Sequence, residues 1–148
     1  MLAYDPASNP LNNNEWSFPL LEILHIAGFT VSIGTIAVVD LRLLGLGFVR
    51  HSAKELLRAT APWTLVGLVV MLTTGPAIFS SDPVMYLHNF SFKFKMVALL
   101  AAIVYNYTIH RKVALAGGPS PGAAVVTGAV SLALWISVVF GGLFIAFV

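Results

Sequence analysis

The sequence contains no cysteine and very little charge. Of its 148 residues, 9% are charged and 58% are hydrophobic. Without cysteine there can be no disulfide framework, thiolate chemistry, iron–sulfur cluster or cysteine-bound zinc, and four histidines remain as the soft nitrogen ligands. A soluble domain carries about a quarter charged residues, so a water-soluble enzyme, a disordered protein and a nucleic-acid binder are excluded. The composition is that of a membrane protein.

Long apolar windows make up most of the chain. They lie at about 18–41, 59–80, 90–110 and 122–148. Each approaches or exceeds the roughly 20 residues that cross a hydrocarbon core of about 30 Å, and a Gly- and Pro-rich breaker at 117–121 separates the last two. We therefore predict an all-α membrane protein, with an N-terminal segment (1–17) followed by one domain of four transmembrane helices (18–148). The N-terminal segment has no basic residue ahead of an apolar run, so we expect no cleavable signal.

Basic residues gather at one end of the predicted bundle. The end reached by spans one and three carries Arg42, Arg50, Lys54, Arg58, Arg111 and Lys112. Acidic residues dominate the other end, where Lys93 and Lys95 are the exceptions. The positive-inside rule predicts both termini on the outer side, which is the periplasm if the protein lies in a bacterial inner membrane.

A first polar stripe lies on span one. At about 100° per residue, the side chains near the direction of His25 are Glu22, Gly28, Ser32, Ile36 and Asp40. A histidine about two turns inside the span, followed by a glycine that lets a flat group come close, predicts an axial haem ligand. The alternative is a histidine that joins two helices by a hydrogen bond. We expect Glu22 to hydrogen-bond to the imidazole or to sit protonated near the interface, while Asp40 needs a donor that the pattern does not identify.

A second polar stripe lies on span three. The side chains near the direction of Lys95 are His88, Ser91, Asn106 and His110. Polar faces of this kind normally turn into the bundle, so we expect Lys95 to pair with a haem propionate, with snorkelling to the headgroups as the alternative. Lys93 points away and is expected to snorkel. His51 and His110 lie among cations at the basic end and are expected to be solvated.

Two residues compete for the second axial position on the iron. The two are His88 and Lys95. His88 lies on the predicted face of Lys95 and needs no deprotonation, whereas Lys95 must lose its proton before it can ligate. We predict that His25 and His88 are the metal ligands and that Lys95, Glu22 and Gly28 complete the cofactor site.

Two stretches of the sequence resemble a known group of proteins. The run Leu24-His25-Ile26-Ala27-Gly28, closed by Leu41-Arg42-Leu43-Leu44, is similar to the first helix of the haem-associated membrane proteins. That group includes the oxygen-independent membrane protoporphyrinogen oxidases and the copper-resistance D-type proteins. The run that begins Phe92-Lys93-Phe94-Lys95 is similar to a later helix in which a lysine precedes an apolar run. The resemblance implies that His25 binds haem and that Lys95 is functional, and we expect membership of a family of small bacterial integral membrane proteins with this layout.

These patterns predict an inner-membrane protein that binds haem b and transfers electrons, with a quinone or a periplasmic protein as redox partner. One alternative is a haem-dependent porphyrinogen oxidase. Another is a non-haem permease for a metal or small solute, or a structural subunit. The absence of cysteine and the scarcity of methionine argue against copper. Four helices leave broad lipid-facing surface, which a homo-oligomer or a larger complex would cover.

Overall fold

The chain folds into helices. A computed structural model describes residues 4–116 and 120–147 and contains no strand in those ranges. Its helices are α1 (Ser17–Leu43), α2 (Ala53–Ser81), α3 (Pro83–His88), α4 (Phe90–Leu115) and α5 (Pro121–Leu143). Within the described ranges, all of them except the short α3 are long and apolar enough to cross a membrane. The predicted all-α fold with four transmembrane helices is therefore confirmed, and the chain is a multi-pass membrane protein.

Capping explains where α2 begins. The helix starts at Ala53 rather than near residue 59 because Ser52 and Glu55 form a capping box. The Ser52 hydroxyl accepts from the Glu55 backbone N–H (3.2 Å), and the Glu55 carboxylate accepts from the Ser52 backbone N–H (2.8 Å). The outer ends of the predicted segments 1–17 and 122–148, and residues 117–119 of the predicted breaker, lie outside the described residues.

The four long helices form two antiparallel pairs. α1 packs along α2, α4 packs along α5, and contacts between α1 and α5 join the pairs. α2 meets α4 mainly through the last segment of α4, Arg111–Leu115. The end of the bundle where α1 and α4 finish and α2 begins carries the six basic residues of the predicted cytoplasmic side. It is called the basic end below, and the other end is called the opposite end.

α1 and α2 cross at two glycines. A β-carbon added to Gly67 would lie 2.5 Å from the Gly28 carbonyl oxygen and 2.5 Å from Ser32 Oγ, and one added to Gly28 would lie 2.8 Å from Val70 Cγ1. These distances leave no room for a side chain, so glycine at both positions permits the close helix contact. Ser32 Oγ also donates to the Thr64 carbonyl (3.1 Å), which adds an interhelical hydrogen bond beside the crossing.

The bundle has a small apolar core and an apolar outer surface. The core cluster contains Ile36, Leu68, Met71, Ala98, Leu99, Ala102, Trp135 and Val138. Many large apolar side chains face outward instead, including Leu20, Val66, Val97 and Ile136. Lipid solvates such side chains as well as a core does, so close packing and interhelical hydrogen bonds must hold the helices together.

The N-terminal segment covers the last turn of α2. The Tyr4 hydroxyl and the Asn9 side-chain amide both donate to the Ser80 carbonyl, the latter at 2.7 Å, and the Asn12 amide donates to the Ser81 carbonyl (3.0 Å). The last carbonyls of a helix have no partner within the helix. The segment therefore satisfies them at the opposite end of the bundle.

Candidate functional site

His25 lies on α1 in the opposite half of the bundle and is half-buried against α2. Its Nδ1 is 2.8 Å from Thr74 Oγ1. The Thr74 hydroxyl also lies within hydrogen-bond distance of the Val70 carbonyl (2.7 Å) and the Met71 carbonyl (3.3 Å). When the hydroxyl donates its single hydrogen to one of these carbonyls, it accepts from His25 Nδ1. Nδ1 then carries the proton, and Nε2, which forms no hydrogen bond within the described ranges, keeps a free lone pair.

Two glycines allow α2 to come into close contact with α1 near His25. A β-carbon on Gly75 would lie 3.4 Å from His25 Cε1, so the imidazole rests against the backbone of α2. The open side of Gly28 is filled by Val70 and Gly67 of the same helix. α2 therefore occupies the space beside Gly28 in which a flat group was expected, and Gly28 serves helix packing.

Lys95 extends along α5. Its Nζ lies 3.3 Å from the position that a β-carbon would take on Gly142, and its Cβ lies 3.0 Å from the corresponding position on Gly141. The ammonium is half-buried, forms no hydrogen bond or ion pair in the described part of the chain, and is close enough to act electrostatically on His25. A cation held in this way attracts an anion. Lys93 is exposed, which confirms its predicted outward direction.

His88 does not share a helix with Lys95. It is exposed on α3, where its Nδ1 donates to the Val84 carbonyl (2.8 Å). The prediction that His88 lies on the helical face of Lys95 is wrong because Asn89 separates α3 from α4. Asn89 has an extended backbone (ψ 121°), and its side chain caps α4 by accepting from the Phe92 N–H (2.9 Å). Among residues 4–116 and 120–147, no hydrogen bond joins His88 to His25.

Glu22 is exposed at the start of α1 and forms no hydrogen bond with His25. The hydrogen-bond partner of the imidazole comes from α2, as Thr74. Glu22 acts instead on Tyr86 of α3. Burial raises the pKa of the Tyr86 hydroxyl above its ordinary value, and the carboxylates of Glu22 and Asp82 raise it further. The Tyr86 phenol therefore stays protonated near neutral pH.

A second polar site, at the basic end, joins three helices. His110 Nε2 of α4 lies 2.7 Å from Asp40 Oδ1 of α1, and Ser131 Oγ of α5 donates to Asp40 Oδ2 (2.8 Å). All three residues are at most 1% exposed. Oδ2 accepts from Ser131 and Oδ1 lies at ion-pair distance from His110, so the buried acid has polar neighbours of the kind that an intramembrane carboxylate requires.

This second site corrects one prediction and completes another. The expectation that His110 is solvated is wrong: its neighbours Arg111 and Lys112 are exposed, but His110 lies on the inward face of α4 together with the buried Asn106. The missing donor to Asp40 is His110, assisted by Ser131. The polar stripe on span three already contained His110, and giving the stripe more weight than the neighbouring charges would have identified it.

The two sites offer different chemistry. Among the described residues, no group of three or more His, Asp or Glu side chains could hold a metal ion by itself. The opposite half offers one free imidazole lone pair and one unpaired cation. The basic end offers a carboxylate and an imidazole that already bind each other. A cofactor with its own metal and its own anionic groups fits the first set of residues.

Comparisons with known proteins identify a family. A family model described as "Family of unknown function (DUF6644)" matches residues 19–148, which include His25, Asp40, Lys95 and His110. No curated protein and no solved structure matches the chain. The resemblance to haem-associated membrane proteins stays a prediction. The chain belongs to the DUF6644 family.

Proposed function

We propose that this protein binds haem b in the opposite half of the bundle and transfers electrons in the membrane. The observation that carries the proposal is the contact of His25 Nδ1 with Thr74 Oγ1 (2.8 Å), while Nε2 forms no hydrogen bond within the described ranges. Haem iron takes a neutral imidazole nitrogen. A hydrogen bond to the other ring nitrogen commonly orients such a ligand and fixes its tautomer.

Lys95 supports the same proposal through its charge. A half-buried ammonium without an acidic partner within the described ranges is unfavourable in an apolar bundle. A haem propionate would supply the missing anion. Since Lys95 is also close enough to act electrostatically on His25, one cofactor could engage both residues.

The second axial ligand stays open between two predictions. In the His25 and His88 pair, His88 would use its Nε2, which is free because Nδ1 donates to the Val84 carbonyl. The pairing requires α3 to bring an exposed histidine to the iron. The alternative is Lys95, which must lose its proton before it can ligate. His88→Ala separates the two, because loss of an axial imidazole turns a low-spin spectrum into a high-spin one, whereas Lys95→Ala is expected to leave the spin state unchanged.

These contacts suggest a separate role for each residue in binding haem. When bound, haem would supply one-electron redox chemistry. His25 would hold the iron, Thr74 would keep the imidazole in the binding tautomer, and Lys95 would neutralise a propionate. The backbone of α2 at Gly75 would exclude water from one side of the imidazole.

The first test is a spectrum. The full chain, expressed in haem-replete cells and purified in mild detergent, is expected to show a Soret band and to yield protohaem in the pyridine haemochrome assay. His25→Ala should abolish both signals. His51→Ala, at an exposed histidine of the basic end, should leave them unchanged. Wild-type protein that folds but carries no haem would refute the proposal.

A second test addresses the hydrogen bond to the ligand. Thr74→Val removes the acceptor for Nδ1–H and is expected to weaken haem affinity about 10- to 100-fold, which is the usual effect of losing the hydrogen-bond partner of a metal ligand. Thr73→Val is the matched control, because that neighbouring hydroxyl is exposed and donates to the Val69 carbonyl of its own helix. Equal haem retention in the two variants would mean that Thr74 does not orient a ligand.

We also propose that the basic end faces the cytoplasm of a bacterial cell and that both termini lie outside, with a quinone or a periplasmic protein as redox partner. The six basic residues at one end support this orientation through the positive-inside rule. A C-terminal alkaline phosphatase fusion should be active and a C-terminal green fluorescent protein fusion dark. A fluorescent fusion would reverse the orientation.

A further inference from the structure

A cleft of about 230 Å³ lies between α1, α2 and α4 near the basic end. Its walls are largely apolar, with Ile36 and Val39 from α1 and Leu57 and Leu65 from α2. The cleft exists because α2 contacts α4 mainly through Arg111–Leu115 and diverges from the rest of that helix. Its volume is below the roughly 300–1,000 Å³ of pockets for drug-sized molecules, which suits a single substituted ring and excludes a macrocycle such as haem.

The cleft opens toward the bilayer. Leu65 and Tyr107 stand on opposite walls and are 54% and 43% exposed. Both lie on helices long and apolar enough to cross a membrane, so this side of the cleft would face lipid. The exposed Arg111 lines the cleft toward the basic end. A ligand would enter from the membrane and would itself be lipid-soluble.

The inner wall of the cleft carries polar groups that lack partners. Asn106 and His110 both line it and are 7% and 1% exposed. Asn106 Oδ1 and His110 Nδ1 have no hydrogen-bond partner in the described part of the chain. A buried polar group left in this state costs about 1–3 kcal/mol, and most are satisfied in native structures. The two residues bound one turn of π-helix, Asn106–His110, a distortion that is frequent at functional sites.

His110 is suited to bind a group that changes between donor and acceptor. Its Nε2 lies 2.7 Å from Asp40 Oδ1, an ion-pair distance, and the other carboxylate oxygen accepts from Ser131 Oγ. Nδ1 can then accept a hydrogen bond when the imidazole is neutral and donate one when it is protonated. The Asn106 amide likewise has both a donor and an acceptor.

We propose that this cleft binds the ring of a lipid-soluble quinone. The reduced form of a quinone presents hydroxyls that can donate to Asn106 Oδ1 and to His110 Nδ1. The oxidised form presents carbonyl oxygens that accept, and the donor to them would be the Asn106 amide nitrogen or a protonated His110. The apolar walls match the ring, and the opening toward lipid lets the isoprenoid tail remain in the bilayer. A hydrocarbon chain would fill the cleft but would leave both polar groups unpartnered. The proposal concerns binding and is independent of haem.

The experiment is photoaffinity labelling of the full-length protein in lipid nanodiscs. An azido derivative of a short-chain ubiquinone is bound and irradiated, and labelled peptides are identified by mass spectrometry. Labelling is expected in the α2 and α4 segments that contain Leu65 and Asn106, and decylubiquinone should suppress it. Labelling elsewhere would overturn the proposal. Cleft labelling that decylubiquinone does not suppress would also overturn it, because it would show that the site does not select a quinone over ordinary lipid.

Two variants test the binding mode. Asn106→Leu should weaken competition by decylubiquinone about tenfold, the effect of one lost hydrogen bond to a buried group, and Thr108→Val on the exposed side of α4 should not. Ala61→Phe fills the cleft and should abolish labelling, whereas Ala59→Phe, which lies outside the cleft, should not. Unchanged competition in Asn106→Leu together with unchanged labelling in Ala61→Phe would refute the assignment. Haem-free His25→Ala protein should still be labelled, so failure of the haem proposal remains distinguishable.

Discussion

Two histidines of the same bundle stand in contrasting surroundings. His110 is 1% exposed, and its Nε2 is bound by the carboxylate of Asp40. His25 is half-buried, and its partner is the neutral hydroxyl of Thr74. The first histidine compensates a buried acid and ties α4 to α1. The second keeps its Nε2 lone pair and has an unpaired cation, Lys95, nearby.

The contrast distinguishes polar groups that have a polar partner within the bundle from polar groups that have none among the described residues and are available to a ligand. Breaking a closed pair destabilises the fold because removing either member leaves the other buried without a partner. An open group contributes little to the fold, since its protein partner is absent from the described structure. Stability measurements should therefore respond to Asp40 and Ser131, and haem-binding measurements to His25 and Lys95.

The largest loss of stability is expected from breaking the closed pair. Asp40→Ala leaves His110 and the Ser131 hydroxyl without their shared acceptor and should lower the free energy of unfolding by about 3–5 kcal/mol. Denaturant unfolding in detergent measures the change. Glu22→Ala removes an exposed carboxylate from the same helix and should stay within about 0.5 kcal/mol of wild type.

A double variant sharpens this test. Replacing both members, as Asp40→Leu with His110→Leu, should recover most of the lost stability, because an apolar pair of similar volume can substitute for a buried ion pair. If Asp40→Ala and Glu22→Ala unfold alike, the pair makes no contribution to stability and the distinction between the two halves fails.

The next largest effect is expected at the helix crossing that lies between the two sites. In Gly67→Ala the new β-carbon would meet the Gly28 carbonyl and Ser32 Oγ, both at 2.5 Å, so α1 and α2 must separate. The loss should reach the upper end of the usual range for overpacking, about 3 kcal/mol. Gly34→Ala is the control: nothing lies within 4 Å of its β-carbon position, and better helix propensity should stabilise it by up to about 1 kcal/mol. Equal stability of the two variants would contradict the close crossing.

Helical periodicity was enough to predict much of this organisation. The polar residues Ser32 and Asp40 of α1, and Ser91, Asn106 and His110 of α4, share the predicted inward faces and are buried. Length and hydropathy predicted the four long helices because a bilayer demands about 20 apolar residues from each. Both signals are local, so they can be read along one helix.

The pairing between helices could not be predicted in the same way. Periodicity gives a direction about the axis of one helix but not the neighbour that lies there. His25 therefore forms its hydrogen bond with Thr74, 49 residues away, and not with Glu22 on its own helix. The error at His88 has a local cause, since the Asn89 cap begins a new helix.

A smaller effect is expected from the third member of the closed site. Ser131→Ala removes one of the two donors to Asp40 and should cost about 1.5 kcal/mol, the lower limit for a hydrogen bond to a charged group. Ser137→Ala on the same helix removes a hydroxyl that donates only to the Ala133 carbonyl, and its stability should match that of wild type. Thermal unfolding of both variants measures the difference, and a Ser137→Ala loss as large as that of Ser131→Ala would show that Asp40 does not depend on Ser131.

The smallest change in stability is expected at Lys95. This residue gives the most stringent test of the comparison between the two halves. Lys95→Met keeps an unbranched side chain that can lie along Gly141 and Gly142 while removing the ammonium. No protein partner in the described ranges is lost, so none of the usual mechanisms of severe destabilisation applies, and the unfolding free energy of the apoprotein should change by no more than about 1 kcal/mol. Lys93→Met, at the exposed neighbour, provides the reference for removing one positive charge from α4. Haem retention should fall in Lys95→Met and not in Lys93→Met, because only Lys95 is close enough to act on His25. A loss of apoprotein stability comparable to that of Asp40→Ala would mean that Lys95 is a closed structural group, and the opposite half would then lose its distinction from the basic end.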